Sequence, residues 1–397
     1  MMLHLQAQPA VYCERLNGLD GMGIGVATLN AEKSLNALSI DMVDLLTAQL
    51  QAWDVDPDIA MVVLQGAGDK AFCAGGDLQN LYDSMKTHHA SLQHEDLLAN
   101  AYALNFFTRE YRLDYFIHTY RKPILCWGHG IVMGGGMGLM AGASHRVVTE
   151  KSRLAMPESA IGLFPDVGGT WFLNRMPGKL GLFLALTGAS INASDAQFVK
   201  LADYQLPHAH KPALFAILQA VRWSHDATEN HQRLHQLLQH QQRAQWPAND
   251  VAEGPLRQHF DLINHLCHSH DLPLMVKTLQ HYSTENSWLQ KAIINLQKAC
   301  PASLWLAHAI QQRAKHLSLA GVFRLELVVA LACARDRNFA EGIRALIIDK
   351  DQRPQWSPQD FSEISDVLMQ EWSLSFFSSP WTAAQHPLSE LGTALVQ

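Results

Sequence analysis

The sequence predicts an α/β layer architecture followed by a mostly helical C-terminal region, and three observations carry that prediction. Between about residues 10 and 205, short apolar runs alternate with helical patterns. Glycine-rich joints connect them. After about residue 206 the glycine clusters stop, and apolar residues recur at three- and four-residue spacing. The join near 204–212 (YQLPHAHKP) is the best boundary, separating 10–205 from 206–397. A chain of 397 residues can bury a core without covalent staples, at a size that suits two or three domains or one large one with an appendage.

In chain order, 25–29 (GVATL), 61–65 (MVVLQ), 123–127 (PILCW) and 146–149 (RVVT) read as short buried strands bounded by Gly, Asp or Pro. Helical patterns lie between them at 39–53, 97–119 and 134–142, with a further one in LQNLYDSM. Pro165 disfavours helical geometry at Phe164, so 155–170 (AMPESAIGLFPDVGGT) is expected to be a turn-rich loop. Beyond the join, helices are expected over 212–245, 255–280, 286–299, 302–316 and 322–335. No fixed-period repeat argues for a solenoid.

Composition removes several function classes. Gly (25) and Pro (16) make up roughly a tenth of the chain, which excludes collagen-like and low-complexity sequence. A net charge of −7 argues against a general nucleic-acid binder. No run of 18 apolar residues marks a membrane span. The six cysteines are scattered, form no CxxC pair and sit among apolar neighbours, as buried, reduced thiols do. MMLHLQAQPAVYCERL has no basic segment leading into an apolar one, so no secretory signal is visible and a cytoplasmic protein is expected. His231 and His235 would share a helix face in the His/Gln-rich stretch 224–250, but the residues between them lack the glutamate of an HExxH motif. A solvated face is the expectation there, with metal binding the competing reading.

Three clusters could carry chemistry. The run 128–138 (GHGIVMGGGMG) follows an apolar strand, and such a strand–glycine turn–helix start presents unpaired backbone N–H groups. Dinucleotide binding, close helix–strand packing and an oxyanion hole are all open for it. A second glycine turn, AFCAGGD at 71–77, favours the oxyanion hole, because two turns supply one donor each to a carbonyl oxygen. Asp77 reads most simply as an N-cap. In the third cluster, Glu158 and Asp166 stand eight apart in an apolar loop that can bring both carboxylates to one point. Apolar surroundings raise a carboxylate pKa toward general-base range. The plainer readings are a first-turn carboxylate behind Pro157 and a cap of the next helix. No GxSxG, P-loop or kinase motif is present.

AFCAGGD, then KPILCWGHGIVMGGGMGL, then AMPESAIGLFPDVGGTWFL, together with FAEGIRALIIDKDQRPQW at 339–356, resemble the crotonase (enoyl-CoA hydratase/isomerase) superfamily. Within it the resemblance is strongest to the 3-hydroxyisobutyryl-CoA hydrolase branch. It implies a crotonase-like spiral of ββα units with a C-terminal helical region. It also implies a CoA thioester whose carbonyl sits between two N–H donors, at Gly76 and Gly135. Lys33 falls in the family's CoA-contacting segment, with a solvated loop lysine as its plainer reading. Hydratases of the family use two glutamates; one aligns with Glu158, and the other would fall at Gly138, which cannot transfer a proton. The hydrolase pattern instead pairs Glu158 with Asp166 and adds Glu110 in TREYRLDYF, a residue that otherwise reads as a surface carboxylate.

The resulting expectation is a hydrolase acting on 3-hydroxyisobutyryl-CoA or a close 3-hydroxyacyl-CoA, as in valine breakdown. Glu158 would be general base or nucleophile, and Asp166 and Glu110 would position the substrate hydroxyl. No metal or redox cofactor is implied, and CoA is part of the substrate. Acyl-CoA is the expected partner, with no nucleic acid and no membrane, and a homo-oligomer left open. An enoyl-CoA isomerase, an atypical hydratase and a non-catalytic acyl-CoA-binding protein are the alternatives.

Overall fold

The computed structural model describes residues 9–245 and 253–393. The first eight residues of the segment searched for a secretory signal, and 246–250 of the His/Gln-rich stretch, lie outside the described residues. Two compact units emerge, neither continuous in sequence. One comprises Met1–Gly76, Phe116–Leu154 and Asn192–Ala252; the other comprises Asp77–Tyr115, Ala155–Ile191 and Glu253–Gln397. The join at 204–212 lies inside the first.

The first unit is built on a six-stranded sheet of order β1-β2-β3-β5-β7-β9. Its strands are β1 (Val11–Asn17), β2 (Gly23–Leu29), β3 (Ile59–Gly66), β5 (Ile124–Gly128), β7 (His145–Val148) and β9 (Tyr204–Gln205). The β1–β2 pair is antiparallel and the others are parallel, with Ala27 opposite Leu64, Val62 opposite Ile124 and Cys126 opposite Arg146. A second, three-stranded sheet has the order β4-β6-β8, formed by Ala71–Cys73, Ile131–Met133 and Arg153–Ala155. Three successive strand pairs therefore repeat one pattern. The first strand of each joins the long sheet and the second the short one. A helical segment follows each pair, at Leu78–His89, Gly135–Gly142 and Glu158–Ile161.

Near-continuous burial along β2, β3 and β5 explains why they read as unbroken apolar runs, since a parallel sheet is covered on both faces. Helices Lys211–Gln219 and Ala227–Gln245 cover one face: Leu214, Leu218, Leu234 and Leu238 pack with Ile24, Val26, Met61, Val63, Leu125 and Trp127. That packing draws residues after 206 into the sheet unit. The strand β1, unread in the sequence, is a sheet edge in which only Val11 is buried, so it leaves no apolar run.

The second unit is helical. Two expected long helices are broken. The stretch 212–245 divides into Lys211–Gln219 and Ala227–Gln245 in the first unit, and 255–280 divides into Pro255–Gln258, Phe260–Leu266 and Leu272–Gln280 in the second. Asp271, whose carboxylate accepts from the Leu274 amide at 3.1 Å, starts the last of these afresh. Similar caps at Asn286 and Ser318 start Ser287–Lys298 and Leu319–Arg335. Among the described residues, no helix is long and apolar enough to cross a membrane.

Candidate active site

In the sheet unit, β4 runs into Gly75, whose φ of 115° is open to glycine, and the Leu38 amide donates to the Gly75 carbonyl at 2.8 Å. Strand β6 runs into Gly134, the N-cap of helix Gly135–Gly142. The two turns lie against each other: a Cβ at Gly75 would stand 3.6 Å from the Met133 carbonyl oxygen, and one at Gly136 would stand 2.3 Å from that of Cys73. Close packing thus accounts for Gly136, while Gly76 and Gly135 remain as N–H groups at adjacent turns. Neither donates to a backbone carbonyl among the described residues. The Gly135 amide opens a helix, where the dipole adds to its donor strength. Lys33, also in this unit, is exposed on the short turn Glu32–Ser34.

The carboxylates lie in the helical unit. Glu158 opens the short helix Glu158–Ile161 directly after Pro157, so its first-turn placement is as the plainer reading had it. It is buried, and its Oε2 has no hydrogen-bond partner among the described residues. Asp166 is buried too, but its side chain caps no helix. Instead the Tyr111 hydroxyl donates to its Oδ2 at 2.7 Å. Glu110 precedes Tyr111 on helix Ala101–His118 and is 2% exposed, far from a surface carboxylate.

Two members of this group escaped the sequence analysis. Asp114 lies one helical turn beyond Glu110, fully buried, with neither oxygen hydrogen-bonded among the described residues. Glu326, also fully buried, comes from helix Leu319–Arg335 and accepts the amides of Gly168 at 2.7 Å and Thr170 at 3.0 Å. Each carried a legible signal. Asp114 repeats the acid at i+4 in TREYRLDYF, and Glu326 is the lone acid in the apolar run LAGVFRLELVVALACA.

Burial is the first cause that raises the proton affinity of all five acids, and for four of them the charge of Asp166 adds to it. Glu110, Asp114 and Glu158 are held well above the ordinary carboxylate range. Glu326 is pushed up to about 8, against two amide bonds that pull it down. Burial raises Asp166 only to about 6, because the Tyr111 hydrogen bond favours its ionised form. Glu326 and Asp166 therefore lie on either side of neutral pH, with Asp166 disposed to carry the negative charge. Such a set can accept and return a proton at working pH.

The histidine pair takes protein partners. His235 Nδ1 is 2.6 Å from the Tyr204 hydroxyl, and His231 Nε2 is 3.3 Å from the Arg121 carbonyl oxygen. Among the described residues, no three His, Cys, Asp or Glu side chains are placed to hold a metal ion.

A family model described as enoyl-CoA hydratase/isomerase matches residues 24–372. The 3-hydroxyisobutyryl-CoA hydrolase, mitochondrial, of Gallus gallus is 36% identical over 347 residues, 87% of this chain and 85% of that protein. The Homo sapiens protein of the same name is 35% identical over 86% of this chain and 84% of its own. Among solved structures, an enoyl-CoA hydratase from Rhodobacter sphaeroides superposes with a TM-score of 0.77 at 32% identity, covering 94% of this chain and 98% of that one. A carnitinyl-CoA dehydratase from Mycobacterium thermoresistibile gives 0.77 at 30% identity, over 94% and 97%.

Proposed function

The chain belongs to the enoyl-CoA hydratase/isomerase family, and on that premise we propose that it is an acyl-CoA thioester hydrolase, converting 3-hydroxyisobutyryl-CoA to 3-hydroxyisobutyrate and free CoA. Such a step belongs to valine breakdown. The observation that carries the reading is Glu158: a buried carboxylate whose Oε2 has no hydrogen-bond partner among the described residues, its proton affinity raised by burial and then by the charges of Asp166 and Glu110. Once ionised, a carboxylate of this kind is a strong base for water.

In the proposed chemistry, the Gly76 and Gly135 amides stabilise the oxyanion that forms when water adds to the thioester carbonyl. One such donor lowers a barrier by roughly 3–4 kcal/mol. Glu158 takes the proton of the attacking water and returns it to the sulfur as the carbon–sulfur bond breaks, which balances the hydrolysis. In a second route Glu158 attacks the carbonyl, expels CoA thiolate and forms an acyl anhydride that water then opens. Asp166 and Glu110 position the substrate hydroxyl, and Lys33 contacts the CoA moiety. Only the CoA of the substrate enters, and no metal or redox cofactor is required. A reducing compartment is part of this reading, supported by six free cysteines, five of them buried. We assign the cytoplasm, although the relatives above bear a mitochondrial designation.

Free-thiol release, followed with a colour reagent across short 3-hydroxyacyl and enoyl thioesters, tests the proposal. Release that is fastest from 3-hydroxyisobutyryl-CoA supports it, and no release from any thioester overturns it. The likeness to an enoyl-CoA hydratase favours hydration as the second reading. Glycine at 138 weighs against it, and loss of enoyl absorbance without thiol release would establish it.

A further inference from the structure

We propose that Glu326 is a positioning residue for Asp166, acting through the backbone turn that carries it. The inference rests on the functional reading of Asp166 given above and assigns a role to helix Leu319–Arg335, far along the chain from every residue placed in the chemistry.

The turn after Asp166 is one that the chain would not adopt unaided. Val167 has φ 51°, a left-handed conformation that a β-branched residue strongly disfavours, and it is buried. Gly168 follows with φ 81°, and the Gly169 amide closes the turn onto the Asp166 carbonyl oxygen at 2.6 Å. Such a conformation persists only where surrounding groups over-determine it. Glu326 does so with both carboxylate oxygens, one on the Gly168 amide at 2.7 Å and one on the Thr170 amide at 3.0 Å. Both bonds are buried, so losing either leaves an amide without water to replace its partner.

The same helix reaches Asp166 by a second path. Phe323, one turn before Glu326, lies against the Tyr111 ring at 5.9 Å between centroids, and Tyr111 donates to Asp166 Oδ2. Phe323 also closes over the turn itself, since a Cβ at Gly168 would stand 3.1 Å from its Cζ. Thus one helix holds the backbone of Asp166 through Glu326 and backs its side-chain partner through Phe323. The titratable groups facing Asp166 are Glu110, Tyr111 and Asp114 from helix Ala101–His118, Glu158 from the short helix Glu158–Ile161, and Glu326 and Cys333 from helix Leu319–Arg335. Glu326 acts on the turn by accepting two of its amides, whereas the side-chain bond to Asp166 comes from Tyr111.

Glu326→Gln tests the assignment, because it turns one of the two accepting oxygens into an NH2 group that can only donate and so faces an N–H it cannot satisfy. The expected result is a fall in kcat for CoA release of about tenfold or more, with KM within about threefold. In an Asp166→Asn background, measured by single turnover at high enzyme concentration, the same substitution should change the residual rate by less than about twofold. A merely structural role lowers the rate by the same factor in both backgrounds, and that result overturns the proposal. So does a Glu326→Gln protein that keeps more than about half of wild-type kcat while Asp166→Asn is inactive. Wild-type turnover in Asp166→Asn alone removes the functional reading of Asp166, and this assignment falls with it. Gly168→Ala strains the same turn without altering a carboxylate. It is expected to show the same kcat loss and the same dependence on Asp166, and it decides the question if Glu326→Gln does not fold.

Discussion

Replacing Tyr111 with phenylalanine removes one oxygen and keeps the ring that packs against Phe107 at 5.8 Å and Phe323 at 5.9 Å. The lost interaction is the hydroxyl's 2.7 Å bond to Asp166 Oδ2, between two buried groups. A hydrogen bond to a charged partner contributes about 1.5–3 kcal/mol. At 1.36 kcal/mol per pKa unit, Asp166 should rise by about one to two units. Starting from about 6, it should then ionise at or above neutrality. The acidic limb of kcat/KM for CoA release is expected to move up by that amount, while the plateau at high pH stays within a few-fold of wild type. Stability provides an independent check. Asp166 is raised in the folded state, so the stability linked to its protonation is complete below the unfolded value and is lost as pH rises through the folded one. The variant should match wild type below about pH 4 and be less stable by about 1.5–3 kcal/mol above about pH 8. The pH dependence of urea unfolding midpoints measures this. A folded variant whose acidic limb lies within about 0.3 units of wild type refutes the claim that the hydroxyl stabilises ionised Asp166.

Other perturbations address the remaining parts of the site. Glu158→Gln should abolish nearly all thioester hydrolysis while substrate affinity stays within about tenfold, or about 1.4 kcal/mol; more than a tenth of wild-type turnover would exclude a catalytic Glu158. The wild-type protein should hydrate crotonyl-CoA negligibly, and Gly138→Glu should impair CoA release by placing an unpaired carboxylate on a buried helix. A hydration rate above the rate of CoA release from 3-hydroxyisobutyryl-CoA would restore the hydratase reading. Gly136→Ala places a Cβ 2.3 Å from the Cys73 carbonyl oxygen, so the two glycine turns must separate. It should cost about 1–3 kcal/mol in thermal unfolding and slow CoA release; an unchanged rate would detach Gly76 and Gly135 from the chemistry. Asp114 is raised in the folded state, so its contribution to stability falls as pH rises. Asp114→Asn should therefore gain on wild type in denaturant midpoint as pH rises above the ordinary carboxylate range, and parallel curves would show that Asp114 does not carry this burden.

Much of the fold was legible because its cause is local. The runs at 25–29, 61–65, 123–127 and 146–149 fall on β2, β3, β5 and β7 to within a residue, where burial on both faces demands apolar side chains in succession. Asp77 caps its helix through the Asn80 amide at 3.3 Å, three residues away, a bond that depends on nothing distant. The glycine turns were legible for the same reason, since a strand-to-helix joint of that shape admits little else. By contrast β1 is a largely exposed edge that resembles a solvated segment, and its identity as a strand depends on pairing with β2.

By itself, the sequence determined four strands of the long sheet, the two glycine turns and the loop bearing Glu158 and Asp166, all set by propensities and turn chemistry over a few residues. Only the tertiary structure decided what surrounds the carboxylates. Tyr111 meets Asp166 across 55 residues, and Glu326 meets Gly168 across 158. The chain's local pattern cannot specify such partners, because the helices bring together residues whose neighbours in sequence face elsewhere. An acid in an amphipathic stretch reads as solvated until the opposing helix removes the water. For Glu110, Asp114 and Glu326 that removal raises their proton affinity and turns three ordinary-looking carboxylates into part of a buried proton-holding cluster.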